Sequence, residues 1–220
     1  MSEELLVTGM VLSAVPSAEY DKRVVLLTKE RGKITAFARG SRKPNSRLMA
    51  ATTPFSFGTF AVYEGRTAYT MVRAEISNYF QELKTDFDGT CYGIYFMEIA
   101  DYYSRENLDA SELLNLLYAS LRALMNPHLD RELVRSIFEM KAMVLDGEYP
   151  YEIAEDATLQ ESTRYALSYV LQAPIRKLYT FTLKPEIQKE FGQIQTKMMK
   201  RIIGREFKSM EVIRTLLDVG

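Results

Sequence analysis

Arg23-Val24-Val25-Leu26-Leu27-Thr28-Lys29-Glu30-Arg31-Gly32-Lys33-Ile34-Thr35-Ala36-Phe37-Ala38-Arg39 is the stretch from which the fold can be read. β-branched and aromatic residues flank a short turn that contains glycine, the pattern of a β-hairpin. The predicted strands are residues 23–28 and 33–39. In the second, alternation puts Lys33, Thr35, Phe37 and Arg39 on one face and Ile34, Ala36 and Ala38 on the other, because successive side chains of a strand point to opposite faces. Working outward, a strand at 5–14 precedes this hairpin, and a second hairpin follows it, residues 57–63 and 67–74 across Glu64-Gly65-Arg66. Between the hairpins, Ser41-Arg42-Lys43-Pro44-Asn45-Ser46-Arg47 has no apolar period and holds a proline, so it reads as an exposed loop. Five short antiparallel strands predict a small closed barrel, since closure removes the exposed edges of an open sheet.

From about residue 85 the period becomes helical. Thr85, with Asp86 and Asp88 after it, opens a helix that Cys91, Ile94, Tyr95, Glu98, Ile99 and Tyr102 carry to about residue 104. Asp109 or Ser111 opens a second, with a stripe of Leu113, Leu114, Leu117, Leu121 and Leu124 that Asn126-Pro127 stops. Asp130 caps a third, which passes through Val134, Ile137, Phe138 and Leu145 to the break at Asp146-Gly147. Residues 147–164 are acidic and aperiodic and read as an inserted loop. Helices resume at 164–171 and again after Pro185, which a first helical turn tolerates. Ile187, Phe191, Ile194, Met198 and Ile202 form the buried face there, and Ser209 with Glu211 caps a last helix through Leu217. The predicted class is α+β, a β-barrel domain over 1–80 and an all-α domain over 81–220.

With 220 residues, 47% of them hydrophobic, the chain can bury one large core or two modest ones. It has no apolar run of the ~20 residues that a spanning helix needs and no leader pattern, so a cytosolic protein without a membrane partner is expected. One cysteine, Cys91, excludes an internal disulfide and a thiolate metal cluster, and neither metal nor cofactor is expected. Cys91 lies on the apolar stripe of a helix and reads as core packing. His128, the single histidine, follows a turn and reads as a surface residue. No phosphate-cradling Gly-Lys-Ser/Thr loop is present. The acidic pairs at Glu3-Glu4 and Asp86/Asp88 are accounted for by a terminus and a helix start. No residue is assigned a catalytic role, and the chain is not expected to be an enzyme.

Charge is distributed unevenly. Residues 1–80 hold 11 basic and 7 acidic side chains, and 81–220 hold 17 and 22, so a formal charge of −1 hides two regions of opposite sign. Nine of the basic residues fall between Lys22 and Arg47. The face of Lys33, Phe37 and Arg39 fits a nucleic-acid strand, with cations on phosphates and the ring against a base. Lys22, Arg23, Arg42, Lys43 and Arg47 extend that field around the hairpin mouth and the following loop.

The order of these features resembles the bacterial recombination mediator family RecO. Gly9-Met10-Val11-Leu12, Thr28-Lys29-Glu30-Arg31-Gly32-Lys33, Ala38-Arg39-Gly40-Ser41-Arg42-Lys43 and Pro54-Phe55 resemble its amino-terminal domain. Phe138-Glu139-Met140, Leu145-Asp146-Gly147-Glu148-Tyr149-Pro150 and Phe207-Lys208-Ser209-Met210 resemble its later helices. The resemblance implies an OB-fold barrel, a helical carboxy-terminal domain, binding of single- and double-stranded DNA and annealing of complementary strands. It also implies partnership with RecR and with the carboxy-terminal tail of the single-stranded DNA-binding protein, and a location in the cytoplasm with the nucleoid. For that tail, Arg135 is the cation nearest the matching helix. Many members carry a four-cysteine zinc site where this chain has residues 151–164, which contain no cysteine. The loop either folds without metal or uses its acidic residues otherwise. Two rival readings stay open, a protein adaptor whose basic barrel grips an acidic peptide and an RNA-binding OB-fold protein.

Overall fold

The computed structural model describes the backbone of residues 3–219 and the side chains of 3–215. Five strands, β1 (Glu4–Pro16), β2 (Lys22–Thr28), β3 (Gly32–Ala38), β4 (Phe57–Glu64) and β5 (Tyr69–Asn78), form a closed barrel in the order β1-β2-β3-β5-β4. This is the five-stranded OB-fold. Four seams are antiparallel, but the closing seam pairs β3 with β5 in parallel, from Ala36 opposite Tyr69 to Ala38 opposite Met71. The sheet is therefore mixed, a correction to the antiparallel barrel that the hairpins predict. Two antiparallel hairpins can be read locally, whereas the seam that joins them pairs residues more than thirty positions apart.

Alternation in β3 is as the sequence predicts. Ile34, Ala36 and Ala38 are buried, with Val11, Val24, Leu26, Phe60, Val62 and Met71, in the barrel interior. β1 and β5 are longer than expected, and register shifts between Val11 and Ser13 and between Ala61 and Val62 interrupt the period of two, as β-bulges do. A short helix, α1 (Leu48–Ala51), follows the 41–47 loop and sends Leu48 into the barrel core. Nothing in its four residues marks a helix, because nucleating one turn needs tertiary support.

Contacts divide the chain into two compact units, residues up to Gln81 with Ala100–Leu114, and Glu82–Ile99 with the chain from Asn115 onward. Residues 100–114 thus belong by contact with the barrel. There, Gly32 bridges Glu106, and Lys33 N–H donates to the Arg105 carbonyl. Gly32 has φ +62°, and a Cβ on it would lie 2.1 Å from the Arg105 oxygen, so glycine serves both the turn and the close approach.

In the helical unit the predicted first helix is two. α2 (Gln81–Thr85) ends where a start was expected, and α3 (Phe87–Tyr103) begins beyond it. The Thr85 hydroxyl bonds back to the Glu82 carbonyl, and Asp86 accepts from Gly89 N–H. Ile94 is 42% exposed and falls outside the α3 stripe. α4 (Ser111–Leu124) buries the five predicted leucines. α5 (Arg131–Leu145) starts at the predicted cap, Asp130, whose carboxylate accepts from Glu132 and Leu133 N–H. Leu133 to Met143 are all buried, and α5 packs against α6 (Glu161–Gln172) and α7 (Pro185–Ile202). The expected loop at 147–164 holds a 3₁₀ turn, Tyr151–Glu155, and the first turn of α6. In α8 (Lys208–Val219) Ser209 lies inside the helix, and its hydroxyl donates to Glu98 instead of capping. No helix among the described residues is long and apolar enough to cross a membrane.

Candidate nucleic-acid interface

β-sheet register assembles the first part of the site. Arg23 in β2 is opposite Phe37 in β3, Phe37 is beside Thr70 in β5, and Thr70 is opposite Tyr63 in β4. Directly paired residues share a face, so the four form one outward row. With neighbouring strands ~4.8 Å apart, the Phe37 and Tyr63 rings are based roughly 10 Å from each other. Phe37 is 36% and Tyr63 37% exposed, and Arg23 makes no ion pair among the described residues. Cation and rings therefore face solvent together.

The second part is a pair of stitched loops. Asp21 accepts from Gly40 N–H at 2.8 Å, and Arg42 N–H donates to the Tyr20 carbonyl at 2.9 Å. Gly40 has φ +64°, a turn that favours glycine. The Arg42 guanidinium donates to the Ala18 and Glu19 carbonyls, and the Lys43 ammonium lies 5.5 Å from the centre of the Tyr20 ring. Lys22 donates to Thr52 Oγ1 at 3.1 Å and to the Met49 carbonyl, tying β2 to α1. Burial, and then the Arg42 charge, hold the Lys22 ammonium below the ordinary lysine range. Arg39 and Arg47 are exposed and unpaired among the described residues.

Of the eight predicted residues, seven gather where β2 begins and β3 ends or in the loop that follows: Lys22, Arg23, Phe37, Arg39, Arg42, Lys43 and Arg47. Lys33 is separate. Its ammonium pairs with Asp101 at 3.2 Å and donates to the Asp101 carbonyl at 2.7 Å, near the other end of β3. Within the cluster, Lys22 and Arg42 hold the scaffold, whereas Arg23, Arg39, Lys43 and Arg47 present charge outward. Sequence reasoning missed Tyr20, Tyr63 and Arg66. Tyr20 and Tyr63 are 43% and 37% exposed, and Arg66 is exposed on the β4–β5 turn. In OB-folds the β1–β2 and β4–β5 loops flank the binding face of strands 2 and 3. That rule was a signal for Tyr20 and Arg66, whereas Tyr63 lies in β4 and joins the face only through the β4–β5 pairing.

Arg135 is not a free cation. Its guanidinium bonds Glu132 at 3.1 and 2.8 Å and Glu139 at 2.7 Å, and Glu139 is fully buried. Tyr92 and Tyr95 donate to the same carboxylates, each at 2.6 Å. Burial works against the Arg135 charge, and the Glu139 and Glu132 carboxylates outweigh it, so the group stays charged. The cation expected at the tail contact is therefore engaged within α5, as the spacing Glu132-Arg135-Glu139 could have announced. Beside it lies a cavity of 620 Å³ whose walls include Tyr95, Met199, Phe207 and Met210 and whose rim includes Lys200 and Arg205.

Fold and site together define a protein of the OB-fold class, a basic barrel with outward aromatic rings followed in sequence by a helical unit. Residues 1–80 match the family model described as Recombination protein O N terminal, and 84–154 the one described as Recombination protein O C terminal. The chain belongs to the Recombination protein O family, whose role is in DNA repair and recombination. It is 24% identical to the DNA repair protein RecO of Acetivibrio thermocellus, across 96% of this chain and 97% of that protein. Its counterpart in Clostridium kluyveri is 25% identical across 96% and 93%. With the Bacillus pumilus protein, identity is 35% across 64% of this chain and 55% of that one.

Proposed function

We propose that this protein is a non-enzymatic mediator that binds single- and double-stranded DNA without sequence preference on the outer face of its barrel. It anneals complementary strands and, with RecR, helps to load recombinase on strands coated by the single-stranded DNA-binding protein, in the cytoplasm at the nucleoid. One observation carries this reading: Arg23, Arg39, Lys43 and Arg47 are exposed without carboxylate partners among the described residues, around the outward Phe37 and Tyr63 rings. Cations on phosphates supply affinity that falls steeply with salt. Each ring that stacks on a base adds about 1–3 kcal/mol with little sequence preference. Neutralised strands repel each other less, which lets complementary strands meet. For the partner tail, the 620 Å³ cavity offers apolar walls with Lys200 and Arg205 at its rim, the chemistry that suits an acidic, apolar peptide.

Reversing Arg23→Glu and Arg39→Glu tests the barrel, because neither side chain holds the scaffold as Arg42 does. Oligonucleotide affinity, read by fluorescence anisotropy, falls at least tenfold with an unchanged circular dichroism spectrum. Undiminished affinity at low salt would refute the reading. Stronger competition by an acidic peptide than by DNA would favour an adaptor, and a preference for RNA of equal length would redirect the substrate.

A further inference from the structure

From the helical unit, we infer a second DNA-strand surface on α7, so that each chain holds two strands at once. The inference rests on the DNA reading above and deepens it. Counted as one block, residues 81–220 are acidic, but the block is not uniform. Residues 81–175 hold 7 basic and 17 acidic side chains, whereas 176–208 hold 9 and 3. Residues 176–208 are thus a second basic segment, with as many cations as 22–47 spread over a somewhat longer stretch.

Helix geometry gathers part of that charge. Ile187, Phe191, Ile194 and Met198 are the buried side of α7. At about 100° per residue, Lys189, Lys197, Lys200 and Arg201 fall within an arc of about 120° that runs from opposite this side, at Lys189 and Lys200, round to its edge at Arg201. All four are exposed, and none forms an ion pair among the described residues. Both acidic residues of α7 fall in the same arc: Glu190 is engaged by the Thr163 hydroxyl and Gln160 N–H, and Glu186 stands in the first turn, where the positive end of the helix dipole accounts for it. Lys197 has like charges three and four positions on, which disfavours the helix. The negative end of the helix dipole accounts for Lys200 and Arg201 in the last turn. It does not account for Lys189 or Lys197, three and one turns earlier. A polyanion laid along this side relieves the repulsion. From Lys189 to Arg201 the helix rises about 18 Å, enough to run beside several successive phosphates of one strand.

Two strand surfaces on one chain give annealing a direct basis, since a single molecule neutralises both complements. An acidic protein segment is the other polyanion that α7 could meet, and Lys200 borders the cavity assigned above to the partner tail, but Lys189, Lys197 and Arg201 do not line that cavity and adjoin no exposed large hydrophobic side chain of α7. A backbone of evenly spaced charges matches the row better than an apolar, acidic peptide does.

The test is the full chain carrying Lys189→Glu, Lys197→Glu and Arg201→Glu, with a second version bearing glutamine at the same positions to guard against misfolding. Short single-stranded oligonucleotides are titrated at stoichiometric concentration, and annealing of complementary strands is timed. The unaltered chain takes up two strands and the variants one, annealing slows at least tenfold, and the salt dependence of total binding becomes shallower by roughly 2 in log–log slope. Saturation of the unaltered chain at one strand, or two strands still bound by a folded variant, overturns the second surface alone. No DNA binding by the unaltered chain overturns the barrel reading with it.

Discussion

The barrel and the helical unit handle charge in opposite ways. On the barrel, Arg23, Arg39 and Arg47 stand in solvent without carboxylates beside them. In α5, Arg135 is sealed among Glu132, Glu139, Tyr92 and Tyr95. A cation kept in water retains its charge for a ligand, because hydration is lost only when the ligand arrives. A cation taken into a core has already exchanged water for fixed partners, and releasing it would leave charges buried alone. The same residue type thus stands free in solvent in one unit and is a packing group in the other. Lys33 and Lys22 lie between these extremes, each holding one piece of scaffold to another.

Removing one member of the buried set is the severest way to break this contrast. Glu139→Ala leaves the Arg135 charge without its deepest partner and costs about 3–5 kcal/mol of stability, measured as a lowered urea midpoint, whereas DNA affinity of the molecules still folded does not change. A stability loss below 1 kcal/mol would mean that Arg135 finds water or another partner.

Acid makes a milder perturbation of the same cluster. Burial pushes the Glu132 carboxyl up, but the Arg135 hydrogen bonds and charge, with help from the Tyr92 hydroxyl, overcome this and hold it below the usual glutamate range. A depressed folded-state value contributes stability that is present above the unfolded value of about 4.3 and lost as pH falls below it. Urea midpoints followed from pH 6 to pH 3 therefore decline in the wild type, and decline less in Glu132→Gln. Equal slopes in the two proteins would remove Glu132 from the account.

The smallest effect sharpens the comparison inside a single strand. Lys33→Gln breaks a partly exposed pair with Asp101 and costs less than about 1 kcal/mol, and oligonucleotide affinity stays within twofold. A loss as large as that from reversing Arg23 and Arg39 would return Lys33 to the DNA face.

Much of this was legible locally. The alternation in β3 predicts which side chains point outward, and Asp130 announces the start of α5, because strand period and helix caps depend on neighbours a few residues away. The early start of α6 was not legible. Gln160 offers no side-chain cap, and Glu161 and Ser162 are polar and exposed, so the first turn carries no apolar stripe. Ser209 has the right residue type for a cap, but Glu98, 111 positions away, takes its hydroxyl. The α7 cations were visible as letters yet averaged away in a count over 140 residues.

By itself the sequence determined a small closed barrel followed by helices and a basic segment at the mouth of the first hairpin, because these follow from short-range period, turn chemistry and composition. Only the tertiary structure decided the parallel β3–β5 seam, the row that aligns Arg23 with Phe37 and Tyr63, and the separation of free cations from those bound to Asp101 or Glu139. Each of these is a pairing across a long stretch of chain, and which partner wins depends on burial and on packing that no local pattern specifies.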